Sequence, residues 1–200
     1  MTRVTCDLAV SLDGIVAGPN QRADAPFGDG LGADGHDMHR WMLDEAEEHA
    51  AELAAITEAG AYIMGRNMFG PGRGEWDLSW TGWWGPNPPY HAPVFVLTHY
   101  ERAPLVMEGG TTFHFVTEGP QAALKLAREA AGERTVAIAG GASTVNQYLS
   151  IGAIDELRLH VVPLVVGQGE RLFAGVGRVQ LRLASARCTP SVNHLTYERV

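Results

Sequence analysis

Two places in the chain put glycine beside the start of a helical stretch, where unpaired backbone N–H groups and the positive end of the peptide dipoles favour an anion. The first is Gly65-Arg66-Asn67-Met68, after the apolar run 61–64; the second is Gly140-Gly141-Ala142-Ser143-Thr144, after the run 135–139 that ends in Ala139. Arg66 adds a planar, permanently charged donor fork, which suits a phosphate monoester. The glycine pair lets a pyrophosphate approach the main chain with no Cβ in the way. Two such junctions on one sheet suit a ligand with several phosphates. Taken singly, each reads more readily as turn chemistry, and Arg66 as the partner of a nearby carboxylate. The GxGxxG fingerprint of the ordinary dinucleotide-binding domain is absent.

Other residue sets suggest other chemistry. Ser143 opens a helix, and Asp155 with His160 or His194 follows in the serine, acid, histidine order of some hydrolases, although the second glycine of a GxSxG elbow is missing. His36, Asp37, His39 and His49 have part of the spacing of a metal site, but no fourth ligand stands out and no metal is expected. Asp37 heads a helix, so its carboxylate reads either as an N-cap or as an acid beside a ligand. Asp13, in Asp13-Gly14, reads as a turn residue.

These residues need elements to hold them. Val4, Cys6, Leu8 and Val10 alternate as in a strand that ends at Ser11-Leu12-Asp13-Gly14. Residues 18–36, dense in Gly, Pro, Asn and Asp, read as a mobile loop. Met38, Trp41, Met42, Ala46, His49, Leu53 and Ile56 keep a helical period from Asp37 until Gly60. Strands are expected at 61–64, 94–97, 113–116 and 135–139, and helices at 120–131 and after Gly141. Residues 70–93 hold four tryptophans and Tyr90 among prolines and glycines, an ordered aromatic loop. Segments 156–163, 179–187 and 193–199 alternate without helices between them. The count is eight strands and four helices: an α/β fold whose mixed, mostly parallel sheet has flanking helices and an antiparallel C-terminal end.

The bulk numbers fit one domain over 1–200, with 46% hydrophobic and 19% charged residues. A net charge of −8 argues against nucleic acid as a partner. Two cysteines without a CxxC pair exclude a disulfide scaffold and a thiolate zinc site. No run approaches the roughly 20 apolar residues of a membrane span, and the first residues lack a signal-peptide pattern, so a cytoplasmic protein with no membrane partner is expected.

The ordered set of motifs carries more than any one of them. Ser11-Leu12-Asp13-Gly14-Ile15-Val16-Ala17-Gly18, Gly65-Arg66-Asn67-Met68-Phe69, the segment from Pro93 to Thr98 and Ala139-Gly140-Gly141-Ala142 together resemble the dihydrofolate-reductase-like family. The segments Gly152 to Leu157, Pro163 to Gly169 and Arg171-Leu172-Phe173 resemble its branch with the reductase domain of riboflavin synthesis, the RibD C-terminal domain. The resemblance spans nearly the whole chain. It implies the three-layer fold of that family and an NADPH-dependent reductase acting on a small heterocyclic, carbonyl or imine substrate.

It also implies a cofactor path. Gly65, Arg66, Asn67 and Met68 would hold the adenosine 2′-phosphate, and Leu97, Thr98 and His99 would lie beside the adenine ribose. Gly140 and Gly141 would meet the pyrophosphate, often through a cis peptide, with Ala142, Ser143 and Thr144 supplying further amides and hydroxyls, and Ala139 just before them would also touch the cofactor. Ala9, Ile15, Val16 and Gly18 would flank the nicotinamide. Met68 replaces a threonine common in relatives, so Asn67 or Thr98 would have to compensate. Asp37 is the nearest counterpart of the family's carboxylate. Trp76, Trp80, Trp83, Trp84 and Tyr90 have no counterpart in the short folate enzymes and would line or cover the substrate pocket, with Trp41, which also reads as core, a further candidate. Arg22, Arg40 and Arg73 are too scattered to make a ribose-phosphate pocket, so the riboflavin link is kinship. Relatives are often homodimers, and strand 156–163 is the candidate interface. A non-catalytic NADP-binding module and, less well supported, a serine hydrolase using Ser143 are the rival readings.

Overall fold

The alternation of Val4–Ser11 (β1) sends its two sets of side chains to different cores in a computed structural model that describes residues 2–200. Val4, Cys6 and Val10 pack under helices α4 (Pro120–Ala131) and α5 (Ala142–Ser150), whereas Ala9 joins Trp41, Met38 and Leu31 on the opposite face. Parallel neighbours flank β1, with β7 (Val136–Gly140) on one side and β8 (Glu156–Val162) on the other. Beyond β7 come β3 (Ala61–Gly65), β4 (Pro93–Leu97) and β6 (Thr112–Val116), all parallel, then the short antiparallel β5 (Leu105–Val106). Beyond β8, β11 (Asn193–Arg199) and β10 (Leu181–Cys188) run antiparallel and complete nine strands. The architecture is therefore the expected mixed sheet, mostly parallel, with an antiparallel C-terminal end.

Some details differ. Two short strands inside apparent loops, β2 (Ile15–Ala17) and β9 (Glu170–Arg171), pair in a separate small sheet. The expected long helix from Asp37 is broken into α1 (His36–Leu43) and α2 (Ala50–Thr57). No glycine or proline breaks it. In the link, Asp44, Glu45, Glu47 and Glu48 crowd like charges, and tertiary contacts take over: Glu45 accepts from Ser191 Oγ, and His49 turns inward to His194. Gly35 caps α1, so Asp37 lies in its first turn instead of at the N-cap. Residues 18–32, expected as a mobile loop, are folded back through bonds from Gly18 N to Phe27 O (2.8 Å) and Asp29 N to Pro19 O (2.8 Å). β8, the candidate interface, is paired on both sides and offers no edge; the free edge on that side of the sheet belongs to β10.

The second face of the sheet carries Thr5, Asp7 and Ala9 of β1 and, by register, Ala137 and Ala139 of β7. Two covers lie on it. Helices α1 and α2 cover the end around β1, β8 and β11 with Trp41, Met38 and Leu31. The one-turn helix α3 (Arg66–Phe69) and the aromatic segment cover β3, β4 and β6. Between them Ala9 and Ala139 are only half-buried, so small side chains floor a groove at the carboxyl ends of the strands. The described helices include none long and apolar enough to cross a membrane.

Candidate active site

The two glycine junctions meet at one place. Met64 pairs with Gly140 and Gly65 with Leu97, which brings the ends of β7, β3 and β4 level. A Cβ on Gly65 would overlap Thr144 Oγ1, and one on Gly140 would touch Met68 Sδ at 3.4 Å. Only glycine lets α5 and β3 approach so closely. Gly140 and Gly141 are joined by a cis peptide bond, and nothing lies within 4 Å of where a Cβ on Gly141 would stand. Gly141 caps α5 without any side-chain cap, and Ser143 is exposed in the first turn while Ala142 and Thr144 are buried. The first amides of α5 have no partner within the helix and no side-chain cap.

At the other junction the helix is a single turn, so the expected dipole is weak and the side chain carries the charge. The Arg66 guanidinium lies 3.9 Å from the Trp76 ring centroid and 5.2 Å from that of Tyr100, and donates to Glu75 O at 3.2 Å. No ion pair with a carboxylate is formed among the described residues, which sets aside the reading of Arg66 as an acid's partner. Its Nε is buried and unpartnered, and burial pulls its pKa below the ordinary value. The Arg102 guanidinium is 5.3 Å from the Trp76 centroid and also has a buried unpartnered nitrogen. Tyr100 and Arg102 were not singled out in the sequence; the signal was their position just past β4, at the same end of the sheet.

The other expected residues fall as follows. Leu97 is half-buried and His99 exposed, while Thr98 spends its hydroxyl on the Tyr100 backbone, accepting from N at 3.1 Å, and so does not make good the hydroxyl missing at Met68. Asn67 is half-buried. Ile15 and Val16 are buried and Ala9 half-buried; Gly18 packs against the Asp29 backbone. Asp37 is exposed, its carboxylate against Gly32. Asp13 accepts from Ser11 Oγ (2.6 Å), Val166 N (3.1 Å) and Gly167 N (2.7 Å), and these bonds push it down to about 2, as befits a turn pin.

Trp76, Trp80 and Trp83 are half-buried and Tyr90 is buried. Trp76 Nε1 donates to Tyr100 O (2.8 Å) and Trp80 Nε1 to Phe69 O (2.9 Å), which gathers the segment at the Arg66 end of the groove, over β3, β4 and β6. Trp41 is 1% exposed and packs against His160 and His194.

The hydrolase set does not converge. Ser143 lies on the α5 face, His160 bonds His194 on the other, and the Asp155 carboxylate accepts from Val4 N at 2.9 Å. Nor do the residues with partial metal-site spacing: His36 pairs with Asp44, His39 bonds Gly35 O, and His49 points to His194. A different group, His49, His194 and Glu52, has ligand atoms within 4.8 Å of one another, but the Arg187 guanidinium already bonds His49 Nδ1 (2.8 Å) and both Glu52 oxygens (2.8 and 3.0 Å).

Comparison with known proteins agrees with this fold. The chain is 22% identical over 196 residues to the uncharacterized protein YyaP of Bacillus subtilis, covering 92% of this chain and 88% of that one. Among solved structures, a putative riboflavin biosynthesis protein from Shewanella superposes with a TM-score of 0.66 at 21% identity, over 100% of this chain and 99% of the other. A deaminase/5-amino-6-(5-phosphoribosylamino)uracil reductase from Thermotoga maritima gives 0.60 at 14% identity, with all of this chain matching 57% of that longer one. Dihydrofolate reductase from Enterococcus faecalis complexed with NADP(H) gives 0.56 at 16% identity, over 98% and 96% of the two chains. Residues 2–196 match the RibD C-terminal domain, and the chain belongs to that family.

Proposed function

We propose that the chain is an NADPH-dependent reductase that transfers hydride to a small heterocyclic substrate or to a carbonyl or imine. The observation that carries this reading is the buried, unpartnered Nε of Arg66, stacked on Trp76 and free of any carboxylate, at the same end of the sheet as the open Gly140-Gly141 junction. A cation held without an anion and a backbone cradle held without a side chain are what a phosphorylated dinucleotide needs at its two phosphate positions. Arg66 would bind the 2′-phosphate; the amides after Gly141 would bind the pyrophosphate; Ala9 and Ala139 would leave room for the nicotinamide in the groove. Such a cofactor supplies hydride from its nicotinamide ring. The helical and aromatic covers would exclude water from the transfer. The homodimer that the resemblance implies remains part of this proposal, and sedimentation tests it.

Trp76 makes the test direct. NADPH is expected to quench tryptophan fluorescence where NADH does not. Arg66→Ala should weaken NADPH about 10- to 100-fold, the loss of a charge-assisted hydrogen bond of about 1.5–3 kcal/mol, with little effect on NADH. Equal response to both cofactors overturns the 2′-phosphate assignment. NADPH oxidation is then screened against pterins, aminopyrimidine ribosides and small carbonyls; binding without oxidation of any of them marks a binding module.

A further inference from the structure

Behind Trp41 three imidazoles stand in line. His160 Nδ1 is 2.7 Å from His194 Nδ1, and His194 Nε2 is 2.8 Å from His49 Nδ1. The outer nitrogens of the line, His160 Nε2 and His49 Nε2, are buried without a hydrogen-bond partner and face carboxylates, Asp7 Oδ1 at 3.8 Å and Glu45 Oε2 at 3.6 Å. Counting hydrogens decides the state of the array. Arg187 donates to His49 Nδ1, so that nitrogen is bare and the hydrogen of His49 is on Nε2, toward Glu45. His194 Nε2 must then donate to His49. One more hydrogen is needed in the 2.7 Å contact between His160 and His194. A fourth is needed on His160 Nε2, or a bare lone pair faces the Asp7 carboxylate inside the protein. Three neutral rings carry only three.

We propose that this array holds a fourth hydrogen at neutral pH, making a buried imidazolium at its His160 end, and that this charge locks the α1–α2 cover onto β8 and β11 and frees it as pH rises.

The surroundings support a single positive charge. Around the rings stand Asp7 on β1, Glu156 and Arg158 on β8, Arg187 on β10, Glu52 on α2 and Glu45 in the α1–α2 link, with Glu48 and Arg40 at the solvent edge and Arg3 sharing Glu156. Carboxylates outnumber guanidiniums in this shell, the more so because Arg40 also pairs with Asp44 and Arg3 with Glu198. The Trp41 ring, 4.6 Å from the His160 centroid, adds the negative face of an aromatic. Burial and the neighbouring His160 push His194 down to about 4, which suits its place as the neutral middle ring that accepts from one neighbour and donates to the other. A cleft of about 250 Å³ lined by Asp7, Glu52, Arg158, His160, Arg187 and His194 opens onto the array, so its hydrogen can exchange with water. The link to the groove is physical: His160 is in register with Ala9, and the helices that the array holds form one wall.

Nitrogen-15 NMR of the histidine-labelled full chain tests the hydrogen count. Four ring hydrogens over the three rings at pH 7, lost in one step that all three rings report, are expected. Three hydrogens at pH 7, three independent titrations, or stoichiometric uptake of added Zn²⁺ at the rings overturns the proposal. The stability consequence has a sign. A hydrogen bound in the folded but not the unfolded state stabilises, and that stability is lost as pH rises. From about one pH unit above 6.5, where the three unfolded histidines are mostly neutral, the unfolding constant should climb toward tenfold per pH unit until the array loses its hydrogen. His160→Gln should abolish that alkaline slope; an unchanged slope sinks the idea, and if the variant does not fold the NMR count on the unaltered chain decides. Amide exchange in α2 should quicken along the same curve, and exchange that ignores pH removes the lock.

Discussion

On one end of the groove Phe69 meets Phe113, Phe115 and Trp76 at ring separations of 5.0, 5.3 and 5.8 Å; on the other, Trp41 meets His160, His194 and His49 at 4.6, 5.1 and 5.5 Å. The geometry is similar and the chemistry is opposite. Around Phe69 the rings are apolar, and the two guanidiniums that touch them, Arg66 and Arg102, form no carboxylate pair among the described residues. Around Trp41 the ring partners are three imidazoles. The difference teaches how one sheet face is divided: the cations of the aromatic cover meet ring faces and backbone carbonyls, whereas the helical cover spends its charges on one another.

The comparison breaks hardest at Phe69. The side chain is wholly buried, and its backbone carbonyl receives Trp80 Nε1. Phe69→Ala opens a cavity between α3 and the aromatic segment and should cost about 3–5 kcal/mol in urea denaturation. Because nothing that titrates surrounds it closely, the loss should be the same at pH 5 and pH 8. A loss that varies strongly with pH would mean that the two covers are not chemically separate.

A smaller effect tests the other cover. The Arg187 bonds to Glu52 push its carboxyl down from 4.5 to about 2. A carboxyl bound more weakly by protons in the folded state stabilises above its unfolded pKa and loses that contribution as pH falls. The window is therefore about 4.5 down to 2. The pair is partly solvated, so Glu52→Gln should cost on the order of 1 kcal/mol at neutral pH. It should also flatten the acid limb of the stability curve. An acid limb as steep in the variant as in the parent chain would remove Glu52 from the account of that cover.

How far the sequence foretold this division depends on the kind of signal. Strands announced themselves because Val4, Cys6, Leu8 and Val10 alternate whatever packs on them, and the glycine junctions because Gly65 leaves no room for a Cβ and Gly140 has a φ of +123°. The break between α1 and α2 was hidden, since Ala46 and His49 keep the helical period and only the contacts of Glu45 with Ser191 and His49 with His194, about 145 residues away, override it. The same long range hid the histidine array. His160 and His194 are brought together by strand pairing between β8 and β11, and His49 by the packing of the α1–α2 link against them, none of which local spacing encodes. Trp41 likewise offered two readings, and burial at 1% places it in the core.

The smallest expected change in stability lies where the covers part. Gly141 has φ −77°, a value any residue adopts, and an added Cβ meets nothing within 4 Å. Gly141→Ala should therefore leave stability within about 1 kcal/mol, the cost of a poorer cap offset by a less flexible unfolded chain. Its methyl would nevertheless stand in the open space before the first amides of α5, where the proposed pyrophosphate comes closest. NADPH binding should weaken by about tenfold or more while the urea midpoint hardly moves, since a misplaced phosphate forfeits a charge-assisted bond. NADH, which shares the pyrophosphate, should weaken in the same proportion, in contrast to Arg66→Ala. Should Gly141→Ala bind NADPH as tightly as the parent chain, the open space between the two covers is not where the cofactor's phosphates lie.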